Sequence, residues 1–231
     1  MRAPALQALG PRRGRVAVPL ALAGVVLVGW AGTLRLGTAM QGHAAHHAGL
    51  AALFAMWAAM AVAMMVPVEA GALVRLARGL RETAWFLAGY LLPWLAFSLA
   101  AAALQDWLHA AGLLDATMAA SSRWFAAALL AAAGLTQLSP LRQACLARCR
   151  AASLIDSDSG GLAGGLRASV SSIACCGLLM LVPFATGVMS VSWMAALTLL
   201  LVIERELPRA SRIGAVAGVL LLVFAAWKLV A

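Results

Sequence analysis

Charge is what this sequence has least of. Only 11% of its 231 residues are charged, and only eight are acidic. A soluble domain carries about 25% charged residues, so a soluble globular fold is excluded at the outset. Polar stretches are scarce too; the longest runs to about thirty residues, shorter than an independently folding domain. There is no His-Glu-x-x-His, no phosphate-binding Gly-rich loop ending in Lys-Ser/Thr, and no Gly-x-Ser-x-Gly. The four histidines all fall in polar loops, so no Ser-His-Asp set can be assembled, and an enzyme is the less expected reading. What remains is apolar: 64% of the residues are hydrophobic and the mean hydropathy is +0.95. Long runs without charge are membrane spans.

Residues 1–15 hold Arg2, Arg12, Arg13 and Arg15 and form a basic leader; residues 16–231 form a single transmembrane helical domain. Val16–Leu34 is longer than a signal-peptide core and no A-x-A cleavage site follows it, so it is expected to be a retained anchor. Further apolar runs follow at 48–68, 83–104, 124–138, 168–188, 193–203 and 213–231. The fourth run ends or bends at Ser139-Pro140, and Pro93 requires a kink or a neighbour's donor in the third. Residues 141–167 form the longest expected loop. With the N-terminus inside, four arginines lie in the leader, three in the loop after the second span, four in the loop after the fourth and three after the sixth. Only Arg35, Arg123 and Lys228 fall outside, which is the asymmetry the positive-inside rule demands. The fold class is therefore all-α: a polytopic transmembrane bundle of about seven spans, N-terminus inside and C-terminus outside. The net charge of +9 is explained by this placement and needs no nucleic-acid partner.

The candidate chemistry is soft. Met56, Met60 and Met64 recur every four residues and share one helix face, with Met65 about 100° around. Cys145 and Cys149 are four apart, close to Arg148 and Arg150, whose charge favours thiolate. Cys175 and Cys176 are adjacent, so they point apart on a helix; Cys176 shares a face with Met180. Thiolate and thioether select Cu(I), and three imidazoles in five residues, His43, His46 and His47, suit Cu(II) or Zn(II) at an outer loop. Glu204-Arg205 closes the sixth run as an interfacial charge pair and, with Glu69 and Gln137, falls in one inner layer with Cys145, Cys149 and Met64. Cys175 and Cys176 fall nearer mid-membrane. No cysteine lies outside, so no structural disulfide is expected. The alternative for each of these residues is packing, which methionine and buried cysteine both do well.

Several of these pieces, in order, resemble a bacterial family of predicted metal-binding integral membrane proteins, domain of unknown function 2182. They are Met56-Trp57-x-x-Met60 with Met64-Met65-x-Pro67, Gly89-Tyr90-x-x-x-Trp94, Gln137-Leu138-Ser139-Pro140-Leu141-Arg142-x-x-Cys145-x-x-x-Cys149-Arg150, Cys175-Cys176-x-x-Leu179-Met180, and Gly187-Val188-Met189 followed by Glu204. The sequence departs from the family at Ser172, where a cysteine is usual, at Gly177, where tryptophan is common, and at Arg205, where lysine is usual. The resemblance implies metal binding and names no reaction. The expected function is the handling of a soft transition metal, copper favoured, by transport, metalloenzyme loading or sensing. A membrane thiol-redox component and a non-metal scaffold are the alternatives. The expected partners are the lipid of a bacterial inner membrane and a metalloenzyme or metal chaperone. A reporter fused after Val230 is expected outside and one inserted between Asp156 and Gly165 inside; both on one side would refute seven spans.

Overall fold

The computed structural model describes residues 12–39, 49–76, 79–115, 118–155, 161–188, 190–207 and 211–230, with the side chains of 12–15, 76, 151–155 and 211 excepted. His43, His46, His47 and Met189 lie outside the described residues. The described chain is helical throughout, with one isolated β-bridge between Leu114 and Ala120. In order the helices are α1 (Arg12–Ala39), α2 (Leu50–Leu76), α3 (Leu80–Ala110), α4 (Arg123–Leu138), α5 (Pro140–Ile155), α6 (Gly161–Cys176), α7 (Pro183–Thr186), α8 (Val191–Glu206) and α9 (Ser211–Val230). A 3₁₀ turn, Leu179–Leu181, joins α6 to α7.

Alanine- and leucine-rich runs favour helix by propensity. In lipid the helix also satisfies every backbone group from within its own segment. Among the described residues, four helical stretches are long and apolar enough to cross a membrane: Val16–Ala39, Leu50–Arg75, Leu80–Ala110 and Arg212–Val230. There are six if two bent pairs each count as one crossing. These are α4 with α5, bent by 61°, and α6 with Leu179–Thr186, bent by 66°. The first bend falls at Ser139-Pro140, as the sequence requires. The sixth expected run lies in α8, whose 16 residues give about 24 Å, short of a hydrocarbon core of about 30 Å.

The expected loop over 141–167 is corrected. Its first half is α5 and its end is the start of α6. The Arg residues and thiols that hid a helical period there occupy different faces of α5. The second and third runs also extend past their expected ends, α2 to Leu76 and α3 to Ala110, because charge within the last turns does not stop a helix whose apolar face continues. Pro93 does not interrupt α3.

Helix α2 is the central element. More than half of its apolar window is buried, 56%, against 22% for α1 and for α9. It contacts α1, α3 and α8, while α3 packs on α6 and α4 on α9. Met56, Trp57, Met60, Met64 and Met65 are all at or below 1% exposure in its core-facing stripe. Trp57 stacks on Phe184 at 5.2 Å and donates to Gln105 Oε1 at 2.7 Å. The backbone amide of Ala120 donates to Phe184 O at 2.8 Å, tying the α3–α4 connection to α7. Close backbone approach contributes to the packing where glycines meet. At the α3–α6 crossing, a Cβ at Gly89 would strike Leu162 O and one at Gly165 would strike Phe86 O. Pro93, lacking an N–H, frees the Gly89 carbonyl at this same crossing.

The crossing gives a stability prediction. Gly165→Val meets backbone that cannot rotate away, so it should destabilise the fold by roughly 1–3 kcal/mol or more. Gly24→Ala, where nothing lies within 4 Å of the added carbon, should stay within about 0.5 kcal/mol. Denaturation of both variants in mild detergent checks the contrast.

Candidate metal centre

Helices α5 and α6 bring three of the four thiols together. On α5, Cys145 and Cys149 share a face, and that face meets Ser171 and Cys175, one turn apart on α6. The thiol-bearing atoms of Cys145, Cys149 and Cys175 all lie within 4.8 Å of one another. Cys145 and Cys175 are joined as a disulfide. Cys149 stays free, its sulfur 3.7 Å from Cys175 Sγ and 2.7 Å from Ser171 Oγ.

Two expectations are corrected here. A disulfide is present where none was expected. The depth difference placed between the inner pair and Cys175 does not exist, because α6 begins at Gly161, well before the expected span, and α5 folds back along it. The adjacent thiols do diverge as helical geometry demands: Cys176 is buried outside the three-sulfur group, facing the charges of Arg142 and Glu204.

An ionic layer holds this cluster. Arg142 forks onto Glu204, Nη1 to Oε1 at 3.1 Å and Nη2 to Oε2 at 2.7 Å, and its Nε donates to Cys175 O at 3.0 Å. One guanidinium thus connects α5, α6 and α8. Arg205 donates to both carboxylate oxygens of Glu69, at 2.8 and 2.9 Å, linking α8 to α2. The side chains of both pairs are at most 8% exposed. Glu204 and Arg205 therefore do not form the interfacial pair expected of them. Adjacent on α8, they point apart and each takes a buried partner on another helix. Arg150 Nη1 donates to Glu204 O and Leu207 O at 2.9 and 3.2 Å, closing the C-terminal end of α8. At the rim, Arg75 bonds Glu206 at 2.8 Å.

Glycine makes room for this layer. A Cβ at Gly214 would collide with Glu204 Oε1, and Gly218, one turn on, sits 2.9 Å by its would-be Cβ from Gly134 O. The small-residue pattern on α9 therefore serves both a carboxylate and a helix contact.

Met60, Met64, Met65 and Met180 are fully buried and belong to the same core as Cys149, Cys175 and Cys176. Ser172, in the usual cysteine position, has its Oγ 3.1 Å from Tyr90 Oη. Arg150 was singled out from sequence as a neighbour of the thiols, but Arg142 and Ser171 were not. Arg142 lay in the expected loop, where an arginine signals only sidedness, and Ser171 gave no signal at all.

The sulfurs of Cys145, Cys149 and Cys175 are close enough together to hold a metal ion. A family model described as "PpoB2: Copper chaperone" matches residues 54–228, and the chain belongs to that family. The metal-related family implied by the sequence is borne out, under this description and not as domain of unknown function 2182. No curated protein and no solved structure matches the chain.

The ionic layer yields a double-mutant prediction. Arg142→Met or Glu204→Leu alone leaves its partner buried and unsatisfied and should cost about 3–5 kcal/mol. The pair Arg142→Met with Glu204→Leu should cost clearly less than the sum. Denaturation of the four proteins in detergent checks this; strict additivity would show that the two side chains do not interact.

Proposed function

We propose that this chain is a membrane-embedded copper handler that holds Cu(I) on Cys145, Cys149 and Cys175 and passes it to a metalloenzyme. The carrying observation is the convergence of three thiol sulfurs within 4.8 Å from two helices. Metal–thiolate bonds of about 2.3 Å place three sulfurs around one ion roughly 4 Å apart, a spacing the cluster reaches once the Cys145–Cys175 bond is opened. Thiolates are soft ligands that favour Cu(I) over harder ions. Membership of the copper-chaperone family supports the same metal.

The ligand set must be reduced to work. Copper binds the thiolate form, and the Cys145–Cys175 disulfide ties up two of the three donors. Two electrons and two protons from a dithiol reductant open that bond, and loading one Cu(I) on three thiols releases three protons. The loaded centre then carries two net negative charges, and Arg142, Arg150 and Arg205 supply nearby positive charge. Burying such a centre without cations would be costly.

The interior methionines and Cys176 flank this centre. We read Met60, Met64, Met65 and Met180 as its thioether surround, and the histidines at 43, 46 and 47 as a capture loop for Cu(II) or Zn(II) on the outer side. The bundle sits in a bacterial inner membrane with its N-terminus inside, in the seven-span arrangement that the basic residues favour. The disulfide favours a second reading, in which the centre itself exchanges thiols and disulfides with a partner, Cys149 attacking Cys175 and releasing Cys145.

Reduced protein in mild detergent should retain about one Cu(I) per chain. Replacing Cys145, Cys149 or Cys175 by Ser should each lower affinity by tenfold or more, while Cys176→Ser should retain copper. Metal analysis after desalting checks this. Retention unchanged in all three cluster variants would refute the site. Loss of copper binding together with a Cys149-dependent mixed disulfide on thiol trapping would favour the exchange reading.

A further inference from the structure

One of the three cysteines of the centre reaches the surface. Cys149 and Cys175 are buried, at 5% and 6% exposure, whereas Cys145 is half-buried. On α5, Cys145 lies one turn after Leu141, which is 81% exposed, and one turn before Arg148, which is exposed. On α6, Ser171 O lies 3.8 Å from Cys145 Sγ, and the positions one turn to either side of Ser171, Arg167 and Ala174, are exposed. Neither Ser171 nor Ala174 has a side chain long enough to cover the sulfur. Exposed arginines on both flanks set this edge at a polar boundary and not among lipid tails, where a guanidinium is costly.

The other half of the disulfide is placed differently. Cys175 Sγ has the sulfur of Cys149 beside it at 3.7 Å, and the carbonyl of Cys175 is held by Arg142 Nε. A thiolate opens a disulfide by attacking one sulfur and expelling the other, and access helps decide which sulfur it takes.

We infer that Cys145 is the entry sulfur of this centre, the atom at which a dithiol reductant opens the Cys145–Cys175 bond. One thiolate of the dithiol bonds to Cys145 Sγ, the disulfide breaks, and Cys175 leaves as thiolate. The second thiolate of the dithiol then attacks its own sulfur in the mixed disulfide and expels Cys145 as thiolate. The dithiol departs as a disulfide, two electrons poorer, and its two protons pass to the cysteines it has released. This order keeps Cys149 and Cys175 inside and side by side, so two donors stay assembled while only Cys145 meets the reductant. The inference deepens the copper reading and rests on it for what the opened centre then holds. Its test contains no copper, so failure of one is distinguishable from failure of the other.

The test uses the full chain in mild detergent, oxidised with diamide so that the Cys145–Cys175 bond is formed, and a Cys149→Ser variant treated alike, in which Cys149 cannot move an adduct. Mercaptoethanol, a monothiol that stalls at the mixed disulfide, is added briefly and the reaction is stopped with acid. Peptide mapping by mass should find the adduct on Cys145 in excess of Cys175 by roughly tenfold or more. Equal adducts on the two, or more on Cys175, would overturn the inference. So would a folded chain that forms no adduct where the unfolded chain does, or the absence of a Cys145–Cys175 cross-link after oxidation. If the variant fails to fold, the same ratio in the wild-type chain decides.

Discussion

The buried fork between Arg142 and Glu204 is the contact on which the rest of the site depends. Its energy is that of a charge-assisted, bidentate bond in a medium with little water, where leaving either partner alone is costly. Its geometry matters more. One guanidinium reaches Glu204 on α8 with its fork and the carbonyl of Cys175 on α6 with its Nε. Arg142 lies one turn from Cys145, so fixing its side chain also fixes the thiol face of α5 against α6. The second pair, Glu69 with Arg205, extends this tie to the central helix.

These pairs explain how a thiol cluster can be assembled where hydrophobic burial offers little direction. Helices in lipid gain no hydrophobic free energy by meeting each other; they associate through close packing and polar contacts. Packing is supplied by the glycine crossing of α3 and α6 and by Gly218 against Gly134. Register comes from the charges. A slip of one residue on α8 would turn Glu204 and Arg205 together by about 100° and break both ion pairs.

Much of the fold was legible in the sequence, because helices long enough to cross a membrane are written in long apolar runs. The central place of the Met56–Met65 stripe was legible as well, since a period of four with no charge defines a buried face. The centre itself was only half legible. The Cys145–Cys149 spacing fixes a shared face as soon as the segment is helical, but nine charged or Gly-rich positions between 142 and 165 masked the helix. Partner choice was not legible at all. Adjacency of Glu204 and Arg205 suggests a pair, and only the 100° step of a helix sends them to different partners. Cys175 met the inner thiols because α6 starts seven residues before the apolar run does.

The composition and the site are then two sides of one constraint. A chain with eight acidic residues places Glu69 and Glu204 within the same buried layer, and spends both on arginines that border sulfur. In the disulfide state each of these carboxylates is matched by one guanidinium. Reduction and the metal loading proposed above would add negative charge at the sulfurs, and Arg142, bonded to the carbonyl of Cys175, is positioned to share it. A neutral polar layer of the same shape could pack these helices. It would place no positive charge beside the sulfurs, which the copper site proposed for them requires.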